Sequence, residues 1–126
     1  MRILADTNIW IGHFRLHSGD PILCELLEFD FLACHEIVIG ELATGGLPRR
    51  LRTIADLRLL PALPSSSFDE TLYFLEERSL FGQGLQWNDL QLLSSVVANG
   101  ETALWTNDKP LHEAAVDAGV AYVPQA

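Results

Sequence analysis

With 126 residues, 48% of them apolar and 20% charged, the chain has the make-up of one globular domain spanning 1–126, with a single core, and this excludes an extended disordered segment. Its 17 acidic residues against 8 basic ones give a net charge of −9, so a nucleic-acid surface has to be local rather than global. No apolar run reaches the ~18 residues of a membrane helix, and the stretch after Met1-Arg2 is interrupted at Asp6, too early for a secretion signal; the expectation is a cytoplasmic protein with no membrane partner.

Arg2 to Asp6 reads as a short buried strand, followed by a helix over Thr7 to Phe14. Asp20-Pro21 is an N-cap with proline in the first helical position and opens a helix to Glu28. Phe31 to Cys34 is a second strand. His35 to Thr44 is helical and stops at Gly45-Gly46. Cys24 and Cys34 sit in apolar neighbourhoods without metal-like spacing and read as reduced core thiols.

Leu47 to Leu57 is a further helix. Four of the eight basic residues gather at Arg49, Arg50, Arg52 and Arg58, either as a local RNA-binding patch or as an ordinary solvated face. Ser67-Phe68-Asp69-Glu70 has capping-box spacing, and Phe68, Leu72 and Leu75 then recur at helical intervals. Asn88 to Ala98 is helical, Ala103 to Thr106 a buried strand, Lys109 to Ala118 a helix ended by Gly119, and Val120 to Val123 a last strand.

Strands that are apolar throughout imply a sheet covered on both faces. The expected architecture is α/β, a three-layer α/β/α sandwich around a mainly parallel sheet. Ligands of such folds bind beyond the carboxyl ends of the strands. Asp6 and Asp108 face that crevice by topology; Asp89 stands at a helix start and Glu41 inside a helix.

Each acid has a second reading. Asp6 and Asp108 suit the N-caps of the helices that follow them, and Asp89 suits a first helical turn, with Asn88 and Gln91 as a capping pair. Glu41 lies among apolar neighbours, where a carboxylate is expensive to bury unless paired or metal-bound, and Gly40 suggests close backbone approach; its other reading is an acid on a narrow exposed stripe. If the four converge, their repulsion calls for a divalent cation, and carboxylate oxygen suits Mg²⁺, with Mn²⁺ as second candidate. Such a site activates water and stabilises a leaving alkoxide in phosphodiester hydrolysis. Asn8 and Thr106 are then expected to orient Asp6 and Asp108, or a metal-bound water, by hydrogen bonds; Thr106 equally suits a strand end.

His13, His17, His35 and His112 have no paired metal spacing, and Gly82-Gln83-Gly84 lacks the context of a phosphate loop. Trp10, Trp87 and Trp105 are read as core or interface residues rather than base-stacking platforms.

The succession Asp6-Thr7-Asn8, Glu41-Leu42-Ala43, Trp87-x-Asp89 and Leu104-Trp105-Thr106-x-Asp108-Lys109 resembles the PIN-domain family, and more narrowly the VapC toxins of bacterial toxin–antitoxin pairs. The resemblance runs through Leu4 to Ile11, His35 to Gly46, Gly84 to Ser95 and Ala103 to Gly119. It implies a metal-dependent endoribonuclease, inhibited by a VapB-type antitoxin and homodimeric, with Asp6, Glu41, Asp89 and Asp108 as metal-site acids and Asp6 and Asp89 as the leading ligands. Arg49 and Arg50 are candidates for the RNA backbone. Asn107 departs from the arginine that many relatives carry there, which puts a substrate contact from that position in doubt.

Two other readings are weighed. A phospho-receiver domain fails because Thr106 and Lys109-Pro110 are three residues apart rather than on successive strands, and because no aspartate ends a middle strand as phosphoacceptor. A catalytically silent PIN-like interaction module is the stronger alternative, and the intact acids argue against it.

Overall fold

The computed structural model describes residues 1–124. Three parallel strands, β1 (Arg2–Ala5), β2 (Leu32–Ala33) and β3 (Thr102–Trp105), pair in the order β2-β1-β3. Ile3 pairs with Leu32, and Arg2 through Ala5 with Thr102 through Trp105. Single parallel bridges, Cys34 to Ala62 and Leu104 to Ala121, add a further chain segment at each edge. Ile3, Leu4, Ala5 and all of β3 are buried, as a sheet covered on both faces requires.

Among the described residues seven helices surround it: α1 (Thr7–Arg15), α2 (Pro21–Glu28), α3 (Glu36–Ala43), α4 (Arg50–Leu57), α5 (Phe68–Glu77), α6 (Trp87–Ala98) and α7 (Lys109–Asp117). Right-handed crossovers from β1 outward through β2 put α1 to α4 on one face; the return across β1 to β3 and beyond puts α5 to α7 on the other. The packing agrees: α3 touches α1 and α4, while α6 touches α5 and α7. The result is the expected three-layer α/β/α sandwich. Strand order reverses at β1, so the switch point lies where β1 and β3 end side by side.

Local chemistry sets several element boundaries as anticipated. Asp20 Oδ1 accepts from the Ile22 and Leu23 amides at the start of α2. Ser67 and Glu70 form a reciprocal capping box on α5.

Elsewhere the structure corrects the sequence reading. The helix expected from Leu47 begins only at Arg50, because Leu47 precedes a proline and Arg49 is left-handed at φ 49°. The strand expected over Val120 to Val123 is a single bridge: the Leu104 amide donates to Val120 O and the Tyr122 amide to Leu104 O, and Pro124 then has no N–H to give. Cys24 is exposed, since α2 buries only Leu23 and the next residue turns outward; Cys34 alone is a core thiol. On α5 the buried face is Thr71 and Phe74, whereas Phe68 and Leu72 are exposed. Thr71 tolerates burial because its hydroxyl donates to Ser67 O, a compensation that apolar counting misses.

A buried polar seam joins α3 to α6. The His35 Nδ1 accepts from the Ile37 amide, so its proton resides on Nε2, which donates to Ser95 Oγ at 3.0 Å. Ser95 Oγ also accepts the Ser66 amide and donates to Gln91 O. Gln91 Nε2 bonds Ser65 Oγ and Ser66 O, and Ser94 Oγ bonds Ser66 Oγ. His35, Ser66, Ser94 and Ser95 are all at most 5% exposed. The Ser65-Ser66-Ser67 run is therefore a hydrogen-bonded strap.

Candidate active site

Asp6, Glu41, Asp89 and Asp108 line one crevice of about 260 Å³ beyond the ends of β1 and β3, together with Thr7, Asn8, Ile11, Gly84 and Gln86. Each acid arrives by a different route. Asp6 follows β1 and caps α1, Asp108 follows β3 and caps α7, Glu41 rides on α3 from one layer and Asp89 on the first turn of α6 from the other. Gly84, at φ +83°, allows the turn before α6 to pass beside Pro110, a conformation that a residue with Cβ adopts only under strain.

The caps and the crevice are the same residues. Asp6 is buried; its Oδ1 accepts from the Thr7 amide at 2.7 Å, and its Oδ2 from the Thr106 hydroxyl at 2.7 Å and more weakly from Asn8 Nδ2 at 3.4 Å. Asp108 Oδ2 accepts from the Leu111 amide, Asp89 Oδ2 from the Gln86 amide, and Glu41 Oε1 from the Thr7 hydroxyl. Among the described residues the second carboxylate oxygens of Asp108, Asp89 and Glu41 make no hydrogen bond. For Asp89 and Asp108, capping and ligand roles, open alternatives in the sequence, are thus compatible: one oxygen orients the side chain and the other stays uncommitted, whereas both oxygens of Asp6 already accept hydrogen bonds.

Thr106 links two of the acids. Its hydroxyl donates to Asp6 and accepts the Asp108 amide at 3.1 Å. Asn8 lies beside it, with Oδ1 accepting the Asn107 amide. Thr7, which orients Glu41, and Gln86, whose amide Asp89 caps, are site residues that sequence reasoning did not single out. The Gln86-x-x-Asp89 spacing was the available signal; the cap is not Asn88, and Gln91 belongs to the strap.

Glu41 takes the exposed-stripe reading rather than the buried one, and no backbone approaches Gly40. Because α3 buries Val38 and Leu42, Glu41 and Gly40 emerge at the surface, and a Cβ on Gly40 would meet nothing within 4 Å. Glu41 is thus an exposed carboxylate on the crevice rim. Arg49 and Arg50 are exposed and do not line the crevice; Arg50 Nε donates to Ala43 O and ties the end of α3 to α4.

The electrostatics disfavour the charged forms of Asp6 and Asp89, through burial first and like charge in smaller part. Burial raises the pKa of Asp6; hydrogen bonds from Thr106 and Thr7 oppose it, and the charges of Asp89 and Glu41 add to it. Burial also raises that of Asp89, against the Gln86 amide and with the charges of Asp108 and Glu41. The donor set is all hard oxygen, which fits a hard divalent cation. Among the described residues no three acids converge tightly enough to cage an ion. Mg²⁺ typically takes one or two carboxylates and fills its shell with water and phosphate oxygen, so an open acid-lined crevice suits it.

No family model matches the chain. It is 42% identical over 119 residues to Ribonuclease VapC32 of Mycobacterium tuberculosis, both in strain CDC 1551 / Oshkosh and in strain ATCC 25618 / H37Rv, and the alignment covers 94% of this chain and 94% of the relative.

Proposed function

The chain belongs to the VapC ribonuclease family, and from that premise we propose that it is a metal-dependent endoribonuclease, the toxin of a toxin–antitoxin pair whose antitoxin is of the VapB type. The observation that carries the reading is the convergence of four carboxylates, from both helical layers and both central strand ends, on one crevice.

In this reading Asp6 and Asp89 would hold a divalent cation directly, Mg²⁺ with Mn²⁺ as second candidate, while Glu41 and Asp108 would bind it or act through its water; when bound it would supply the charge that acidifies water and stabilises a leaving alkoxide. The protein's own part is orientation. Thr106 and the Thr7 amide fix the Asp6 carboxylate in one rotamer, the Thr7 hydroxyl fixes Glu41, and the Gln86 and Leu111 amides fix Asp89 and Asp108. The charged side chains of the crevice are acids only, and a bound cation would supply the charge that lets a phosphodiester approach it. Arg49 and Arg50, outside it, are assigned to the RNA backbone on the approach. The same acids offer the antitoxin a seat for a guanidinium, by charge-assisted pairing.

Hydrolysis by water leaves the 2′-hydroxyl untouched. Purified protein is expected to cut RNA into fragments with 5′-phosphate and 3′-hydroxyl ends in Mg²⁺ and to stop in excess chelator. Ends bearing 2′,3′-cyclic phosphate, or undiminished cleavage in chelator, would overturn the proposal.

A further inference from the structure

A second cavity, also of about 260 Å³, adjoins the acid crevice through a shared residue, Asn8. One end of the Asn8 amide reaches Asp6 and Thr106; the other accepts the Asn107 amide and so faces the second cavity's wall. That wall is aromatic on one side, where the half-buried Tyr122 stands edge-to-face, at 5.6 Å, against the buried Trp105 and offers the accessible ring. Asn107, His112 and Asp20 supply the polar side.

Three features define what it takes. No lysine or arginine lines the cavity, and the Asp20 carboxylate does, so it does not select a phosphate. Among the described residues, the side chains of Asn107, His112 and Tyr122 make no hydrogen bond, and Asp20 commits only Oδ1, to the start of α2. Donors and acceptors on an aromatic wall match the edge of a planar heterocycle. Finally, the volume falls below the about 300–1,000 Å³ usual for drug-sized ligands, which limits the occupant to one ring system.

We propose that this cavity, walled by Trp105 and Tyr122 and edged by Asn107 and Asp20, is a nucleobase site that receives the base next to the scissile phosphate and favours bases with an exocyclic amino group over uracil. It rests on the ribonuclease reading for the position of that phosphate. Proteins read single-stranded RNA by splaying a base against aromatic side chains and hydrogen-bonding its edge. Here the phosphate lies at the acids and the base passes Asn8 into the neighbouring cavity. A free Asp20 oxygen accepts from an amino group on adenine, cytosine or guanine, as carboxylates do from cytosine; uracil offers only carbonyl oxygens at the corresponding positions. The Asn107 amide supplies both a donor and an acceptor to the same edge.

The test uses RNA randomised around the cleavage site, with kcat/KM compared by base at each position. The parent is expected to disfavour uracil at one fixed position. Asp20→Asn keeps an N-cap but replaces an acceptor by an amide, and is expected to cut the preference by roughly 5- to 100-fold, the range set by one base-edge pair. Asn107→Ala, on an exposed residue, tests the same position independently of the cap. Unchanged base distributions in both variants overturn the proposal. Binding separates it from the ribonuclease reading: metal-free protein is titrated with AMP, CMP and UMP, and backbone NMR shifts are followed. Shifts at Trp105, Asn107 and Tyr122 that are larger for AMP and CMP than for UMP support the base site even if no RNA is cut. Absence of shifts there overturns it even if RNA is cut.

Discussion

The molecule holds two polar clusters of opposite design. The seam of His35, Ser95, Ser66 and Gln91 closes on itself: every buried donor finds an acceptor inside the protein, and the histidine tautomer is fixed by what it contacts. The acid crevice is left open: each carboxylate is oriented by a neighbour, yet three retain an oxygen with no partner among the described residues, and two are pushed toward protonation. The difference is between a network whose polar groups are satisfied inside the protein and one that leaves carboxylate oxygens free among the described residues. They sit at opposite ends of the same two helices. His35 meets Ser95, while six residues along α3 and six back along α6, Glu41 and Asp89 share the crevice. The closed cluster thereby sets the spacing of the open one.

The sharpest break between them is Asp89→Asn. It is expected to abolish RNA cleavage, while the metal-free protein unfolds at the parental temperature or above, because asparagine relieves repulsion and keeps its shape. The variant should also lose the stabilisation that Mg²⁺ gives the parent, since a ligand stabilises by binding the native state. Cleavage at the parental rate would show that the acids are only helix caps.

Ser95→Ala probes the closed cluster. It leaves the His35 Nε2–H and the Ser66 amide without an acceptor, and each buried unsatisfied group costs about 1–3 kcal/mol. A stability loss of about 2–4 kcal/mol in urea unfolding is expected, far beyond that of any single crevice substitution. A loss under about 1 kcal/mol would mean that the seam rearranges and does not set the α3–α6 spacing.

The smallest effect is in pH, where the two regions respond with opposite sign. Burial lowers the pKa of His35 below its ordinary 6.5, so the unfolded chain takes up a proton first; stability is full above about 6.5 and declines as pH falls toward the folded value. His13, also lowered by burial, adds to this. Asp6 and Asp89 have folded values above the ordinary 3.8, so between those values and 3.8 the folded protein takes up protons first, and their protonation stabilises it as pH falls. In metal-free protein, the advantage of Asp89→Asn over the parent is therefore expected at neutral pH and should fade as Asp89 protonates. Urea unfolding of both proteins from pH 7.5 downward checks this; a difference independent of pH would detach Asp89 from the like-charge cluster.

Much was legible in the chain itself. Asp20-Pro21 and Ser67-x-x-Glu70 fix helix starts through contacts two or three residues away, and the apolar runs around Leu4 and Leu104 require a sheet covered on both faces, so α2, α5 and the layered fold follow from local rules. Topology pointed Asp6 and Asp108 to one crevice because each follows the end of a strand, whereas Glu41 and Asp89 joined them only through the family resemblance. What only the tertiary structure decided are contacts between residues far apart in the chain. Whether Glu41 is buried or exposed stayed open because its sequence neighbours are apolar, and exposure depends on which face α3 turns inward. The partnership of His35 with Ser95 spans 60 residues, and that of Asp6 with Thr106 spans 100. Neither leaves a periodic trace, because a hydrogen bond depends on where two backbones cross and not on what stands beside either residue.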